Sequence, residues 1–292
     1  MYKLIAIDLD GTLLNSYGII SEEDKVVLKK AIENDVKIIL TSGRSIMSVK
    51  NFANEIGAND CIICGNGSLV YNIQKDEIIY KKYIDKKKVL QIIKICEDNS
   101  IYYNVFTQDT ILTSSLAYNV LFYNQENIKK PDNKKTNINI IPNIYKYVEE
   151  REKEDYLKIC ICDKSDIIFG GIMKKLKEIK NINAMEVAHM ARKLIANGTE
   201  YVPVEYFITE IMNQHADKWN AVNYVADMYG ISTDEIMVIG DNMNDKEMIK
   251  NAGLGVAMGN SAPYIQEIAK EVTLDNNSNG VGYIIKKYLN IE

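Results

Sequence analysis

Met1-Tyr2-Lys3-Leu4-Ile5-Ala6-Ile7-Asp8-Leu9-Asp10-Gly11-Thr12 opens the chain. Residues 3–8 form a short apolar run ending in a carboxylate, the pattern of a buried strand. Asp8 and Asp10 lie two positions apart on the turn that follows, so both can be aimed at one small volume. Gly11 permits the sharp backbone turn. One carboxylate could attack while the other moves protons, and together they could hold a hard cation. In open α/β sheets, ligand sites lie beyond the carboxyl ends of strands, which is where this segment falls.

The pattern continues downstream. Ser21 reads as an N-cap, and Glu22-Glu23-Asp24 suits the positive end of a helix running to about residue 33. A second buried strand is expected over 36–40, then polar Thr41-Ser42-Gly43-Arg44, a helix to about Ile56, and a third strand over Cys61–Cys64. This β-α-β-α-β order predicts a Rossmann-like, doubly wound parallel sheet. It returns near the end of the chain. A helix is expected over about 218–229, and Ser232 with Glu235 resembles a capping box. A strand over 236–239 then ends at Gly240-Asp241, a helix covers 244–251 and a strand 253–257. A helix near 262–269, a short strand at 271–273 and a final helix from about 282 complete it. The middle differs, mixing helices (86–98, 115–126, 167–179) with strands (101–106, 157–161, 184–188, 205–211). The expected organisation is a catalytic core of 1–84 and 214–292 with an inserted α+β cap domain, 85–213.

Composition narrows the class. With 292 residues, 47% apolar and 26% charged, the chain reads as globular and long enough for two domains. A net charge of −5 argues against a broad grip on nucleic acid or anionic lipid. No apolar run reaches the ~18 residues of a membrane span. No signal peptide is read at the N-terminus. The five cysteines sit in apolar runs and read as buried reduced thiols, pointing to a cytoplasmic protein.

Two more strand ends carry chemistry. Thr41-Ser42-Gly43-Arg44 offers hydroxyls and backbone N–H groups at a helix start, an anion site. In Gly240-Asp241-Asn242-Met243-Asn244-Asp245, Asp241 is placed as a metal carboxylate, and Asn244 and Asp245 could orient phosphate or metal-bound water. Polar groups of these types at the ends of three strands in one sheet fit phosphoryl transfer. That chemistry needs an in-line nucleophile, a magnesium ion, and donors around the equatorial oxygens.

With Lys218 added, these segments resemble the four motifs of the haloacid dehalogenase superfamily. Their order, and the insertion between the second and third, are similar to its Cof-type phosphatases. Cys64-Gly65-Asn66-Gly67-Ser68 and Asn276-Asn277-Ser278-Asn279-Gly280-Val281 agree. The resemblance implies that Asp8 is the nucleophile, forming an aspartyl-phosphate, and that Asp10 is the general acid and base. It implies that Leu9, Thr41, Ser42, Gly43, Lys218 and Asn244 hold phosphate, with Thr41 and Lys218 counted among the catalytic residues. Mg²⁺ would be held by Asp8, Asp241 and the carbonyl of Asp10, with Asp245 supporting. Lys218 is followed by Trp219 where the family usually has Gly, a change that could narrow the site mouth.

The expected activity is hydrolysis of small phosphorylated metabolites such as sugar phosphates, by a monomer or weak homodimer. A phosphosugar mutase would use the same motifs but favours several basic cap residues, for which Met190-Ala191-Arg192-Lys193 is the nearby candidate. A non-catalytic phosphometabolite binder would have no need for Asp10.

Overall fold

A computed structural model describes residues 2–129, 131–132, 135–185, 191–197 and 200–290. The chain divides into two compact units, Met1–Lys81 with Ala216–Glu292, and Lys82–His215. The division falls three residues before and two residues after the boundaries expected from sequence.

The first unit begins β1 (Leu4–Asp8), α1 (Glu22–Glu33), β2 (Lys37–Thr41), α2 (Ile46–Ile56), β3 (Cys61–Cys64), β4 (Leu69–Asn72) and β5 (Glu77–Lys81). The second unit holds α3 (Lys86–Asp98), β6 (Tyr102–Thr107), β7 (Thr110–Thr113), α4 (Tyr118–Lys129), β8 (Asn137–Ile140), α5 (Ile144–Glu150), β9 (Tyr156–Asp163), α6 (Asp166–Lys177), β10 (Ile182–Ala184), β11 (Ala191–Asn197) and β12 (Glu200–Asn213). The first unit resumes with α7 (Lys218–Met228), β13 (Ile236–Gly240), α8 (Lys246–Asn251), β14 (Leu254–Ala257), α9 (Pro263–Gln266), β15 (Glu271–Val272) and α10 (Gly280–Leu289).

In the first unit the sheet order is β15-β14-β13-β1-β2-β3-β4-β5. It is parallel from β15 to β3, the Rossmann-like arrangement expected, and antiparallel through β4 and β5. All five residues of β1 are buried. Side chains alternate across a strand, so Leu4 and Ala6 join Ile39, Val70, Ala221, Val222 and Met248 in one cluster, and Ile5 and Ile7 point the other way. α1 starts where Ser21 caps it, accepting from Asp24 N. It is tied to α10 by Asp24, whose Oδ1 accepts from Gly282 N at 2.7 Å.

The second unit has its own sheet, ordered β10-β12-β9-β6-β7-β8 with β11 paired to β12. Its core joins Val89, Ile92 and Ile93 of α3, Val148 of α5 and Phe169 and Ile172 of α6 to Val105, Ile159 and Ile161 of the sheet. Part of the strand expected over 184–188 and Met190 of the basic stretch lie outside the described residues, and Ala191, Arg192 and Lys193 enter as the backbone of β11. No helix among the described residues is long and apolar enough to cross a membrane. All five cysteines are free and buried.

Candidate active site

Three neighbouring parallel strands build the site. β1 lies between β13 and β2, with Ile7 beside Ile239 and Asp8 beside Thr41. Asp8, Thr41 and Gly240-Asp241 therefore emerge at one level. The chain proceeds from β1 to β2 on one side and from β13 to β14 on the other, so the strand order reverses at β1/β13. A crevice forms at such a reversal.

Asp8 ends β1 and is 4% exposed. Its Oδ1 accepts from Lys218 Nζ at 2.5 Å. Lys218 is the first residue of α7, which starts there because Asp217 caps it, accepting from Asn220 N at 2.8 Å. The Lys218 side chain is fully buried, and its Nζ also donates to Asp245 Oδ1 at 2.6 Å. Trp219 is half-buried and packs against the cluster containing Ala221 and Val222, so the bulk that follows Lys218 is taken up by the core.

Asp245 Oδ2 accepts from the backbone N–H groups of Asp241 and Asn242 at 3.0 and 3.1 Å. Both Asp245 oxygens are thus engaged, one on Lys218 and one on the loop that carries Asp241. Asp241 Oδ1 accepts from Thr12 Oγ1 at 3.1 Å. Gly11, just before Thr12, turns the chain at φ +86°, where a side chain is strained and a Cβ would stand 2.4 Å from Asp241 Oδ2. Asp8, Asp241 and Asp245 each bring a carboxylate oxygen within 4.8 Å of the others.

The electrostatics follow from this crowding. Burial, with Asp245 and Asp241 nearby, holds the Asp8 carboxyl well above the usual range against the pull of Lys218. Burial and Asp245 push the Asp241 carboxyl up to about 7. Burial opposes the charge on Lys218, but Asp245 and Asp8 outweigh it and push its pKa upward. One ammonium against three carboxyl groups leaves two of them without a counter-charge once they ionise, in a site that water reaches poorly. A hard divalent cation fits both the oxygen donors and that charge.

The residues expected to hold phosphate lie beside it. Thr41 is fully buried and its Oγ1 has no hydrogen-bond partner, a cost tolerated where a ligand supplies one. Ser42 Oγ accepts from Arg44 N at 3.2 Å. Gly43 runs next to Asn66, whose Oδ1 accepts from Asn244 Nδ2 at 3.1 Å and whose N–H reaches Ser42 O at 2.9 Å. Leu9 offers backbone only, its side chain being fully buried. The residues expected to hold phosphate thus share one end of one sheet. The Asp10 carboxylate stands outside the carboxylate cluster and pairs with Arg44.

Several contributors were missed as individual residues. Asn66 adopts φ +55° and bridges the loops after β2 and β13; its signal was the Gly-Asn-Gly run. Asn260 Nδ2 donates to Gly11 O at 2.8 Å, Asn276 Nδ2 donates to Leu14 O at 2.8 Å, and Ser16 N donates to Asn277 Oδ1 at 3.0 Å. These asparagines satisfy the backbone of the loop behind Asp10. The asparagine-rich run 276–279 could have pointed to two of them, but nothing in the sequence marks Asn260.

Comparison with known proteins identifies the family. The sequence profile of the haloacid dehalogenase-like hydrolases matches residues 5–285. Phosphatase YwpJ of Bacillus subtilis is 28% identical over 295 residues, spanning 98% of this chain and 100% of that one. The 5-amino-6-(5-phospho-D-ribitylamino)uracil phosphatase YwtE of the same organism is 29% identical over 303 residues, spanning 98% of each chain. A solved haloacid dehalogenase-like hydrolase from B. subtilis matches with a TM-score of 0.79 at 25% identity, over 98% of this chain and 99% of that one.

Proposed function

The chain belongs to the haloacid dehalogenase-like hydrolases and is a phosphatase of that family, and on that premise we propose that it hydrolyses small sugar or polyol phosphates through a Mg²⁺-dependent aspartyl-phosphate on Asp8. The observation that carries this reading is the buried Asp8 carboxylate, clamped at 2.5 Å by Lys218 and crowded by Asp241 and Asp245.

Asp8, Asp241 and the carbonyl of Asp10 would hold the magnesium ion, with Asp245 bracing them from behind. Bound there, the ion would offset the charge of Asp8 and of the phosphoryl group it attacks. Asp8 Oδ1 is held by Lys218, which leaves Oδ2 to attack phosphorus. The Asp8–phosphorus bond forms as the bond from phosphorus to the ester oxygen breaks. Asp10 gives that oxygen a proton, so the alcohol leaves neutral. Asp10 then takes a proton from water as the water oxygen attacks phosphorus. Phosphate leaves and Asp8 is restored. Thr41 Oγ1, Ser42, the backbone N–H groups of Leu9 and Gly43, Asn244 and the Lys218 ammonium supply donors for the equatorial oxygens.

These groups all belong to the first unit and offer little to the rest of a substrate. We therefore assign substrate selection to the second unit. The name of YwtE, whose substrate carries a phosphorylated ribityl chain, supports a polyol-sized leaving group. The buried, unpaired cysteines suit a reducing cytoplasm.

A screen of sugar, polyol and peptide phosphates for released phosphate, with Mg²⁺ and with chelator, tests the proposal. Release from the small metabolites that chelator abolishes is expected. Preference for phosphopeptides, or release unaffected by chelator, would overturn it.

A further inference from the structure

Arg44 has no part in the chemistry assigned above, yet it grips the residue that chemistry needs for proton transfer. Its Nη2 donates to Asp10 Oδ1 at 2.6 Å and its Nε to Asp10 Oδ2 at 2.7 Å. The guanidinium is braced in turn by α2: Nη1 donates to Ser48 Oγ at 3.3 Å, and Cζ stands 5.6 Å from the centre of the Phe52 ring. A rigid line therefore runs from the helix, through Arg44, to a carboxylate on the loop after β1.

The Asp10 side chain is 59% exposed and that of Arg44 22%. An exposed ion pair adds little stability. The loop behind Asp10 is already anchored by Asn260 and Asn276. What the pair does provide is orientation. A planar fork meeting both oxygens fixes the plane of the carboxylate, which a point charge does not. A proton donor must lie within hydrogen-bond reach of the leaving oxygen.

We propose that Arg44 is a positioning residue for Asp10, its fork orienting the group both as the carboxyl that gives its proton to the leaving oxygen and as the carboxylate that takes one from water. The inference rests on Asp10 being the general acid and base. Arg44 itself exchanges no proton.

The test compares kcat/KM, which reports the steps through phosphoenzyme formation, for an alkyl phosphate and for p-nitrophenyl phosphate. The second leaving group hardly needs protonation. Arg44→Ala should cost the alkyl substrate roughly 10²-fold, the scale of an ångström-level misplacement, and p-nitrophenyl phosphate only about threefold. Arg44→Lys, which keeps charge without the fork, should reproduce most of this split. Ser48→Ala, which removes a brace and disturbs the fold least, should show it in weaker form. Arg44→Ala should add little to an Asp10→Asn background, because both changes disable one proton-transfer function. Equal losses for the two substrates, full activity of Arg44→Lys, or additive losses in the double variant would overturn the inference. Asp10→Asn alone separates the two levels. If it treats the two leaving groups alike, the acid–base assignment falls and this inference with it. If it discriminates while the Arg44 variants do not, only the inference falls.

Discussion

Asp8 and Asp10 are the same residue type two positions apart, and their surroundings differ. Asp8 is buried against an ammonium and two other carboxylates, whereas Asp10 stands in partial solvent with a guanidinium. Asp8→Asn keeps the shape but loses the proposed nucleophile and a proposed metal ligand, so kcat should fall by at least about 10³-fold. Steady-state assays showing more than a tenth of the activity would count against the nucleophile assignment. Asp10→Ala should cost an alkyl phosphate roughly 10²–10⁴-fold. Asp241 carries the opposite trade. Without metal its buried carboxylate repels its neighbours, so Asp241→Asn should raise the metal-free Tm while removing the response to Mg²⁺. Thermal melts with and without the ion check both halves, and an unchanged Mg²⁺ response would remove Asp241 from the ligand set.

Among the elements, the turn after β3 leaves little room for change. Gly67 sits at φ +93°, and a Cβ there would lie 2.1 Å from the carbonyl oxygen of Asp217, the cap that starts the Lys218 helix. Gly67→Ala must displace that helix start. It should cost about 2 kcal/mol or more of stability and lower kcat with it. Denaturant melts showing a loss under about 0.5 kcal/mol, the level of an ordinary surface change, would mean the contact relaxes freely. The parallel strands were legible in the sequence because burial on both faces turns them into unbroken apolar runs such as 4–7 and 236–239. β4, β5, β7 and β8 were not. They are four- or five-residue segments, too short to display a period of their own, and Asn137–Ile140 is largely solvent-facing as well. The site was legible where a strand end carried the chemistry, as at Asp8, Thr41 and Asp241. It was not legible where a distant loop reaches in, as at Asn260, because that pairing exists only once β14 is placed in the sheet.

For the whole molecule, the excess negative charge should couple folding to pH and, by the proposed reading, to metal. Asp8 and Asp241 hold protons to higher pH in the folded chain than in the unfolded one. Folding without metal therefore favours the protonated forms, and metal-free stability should decline as pH rises from about 4 through about 7. Mg²⁺ should reverse the loss, adding about 2.7 kcal/mol at a hundredfold excess over its Kd. Melts across that range check the sign, and rising metal-free stability would contradict it. The proposed selection of substrate by the second unit can be tested by exchange. Exchanging residues 82–215 for the matching segment of YwtE should transfer substrate ranking and leave Mg²⁺ dependence unchanged; a ranking that stays with residues 1–81 and 216–292 would place selection there. The central claim is the phosphoryl group on Asp8. The direct measurement is acid quench within the first turnover of the Mg²⁺-loaded enzyme with a labelled substrate, followed by mapping of the label. The account predicts a hydroxylamine-labile phosphoryl group on the peptide that contains Asp8, absent without Mg²⁺ and absent in Asp8→Asn. A label on any other residue, or a first-turnover burst of alcohol with no label on Asp8, would contradict it.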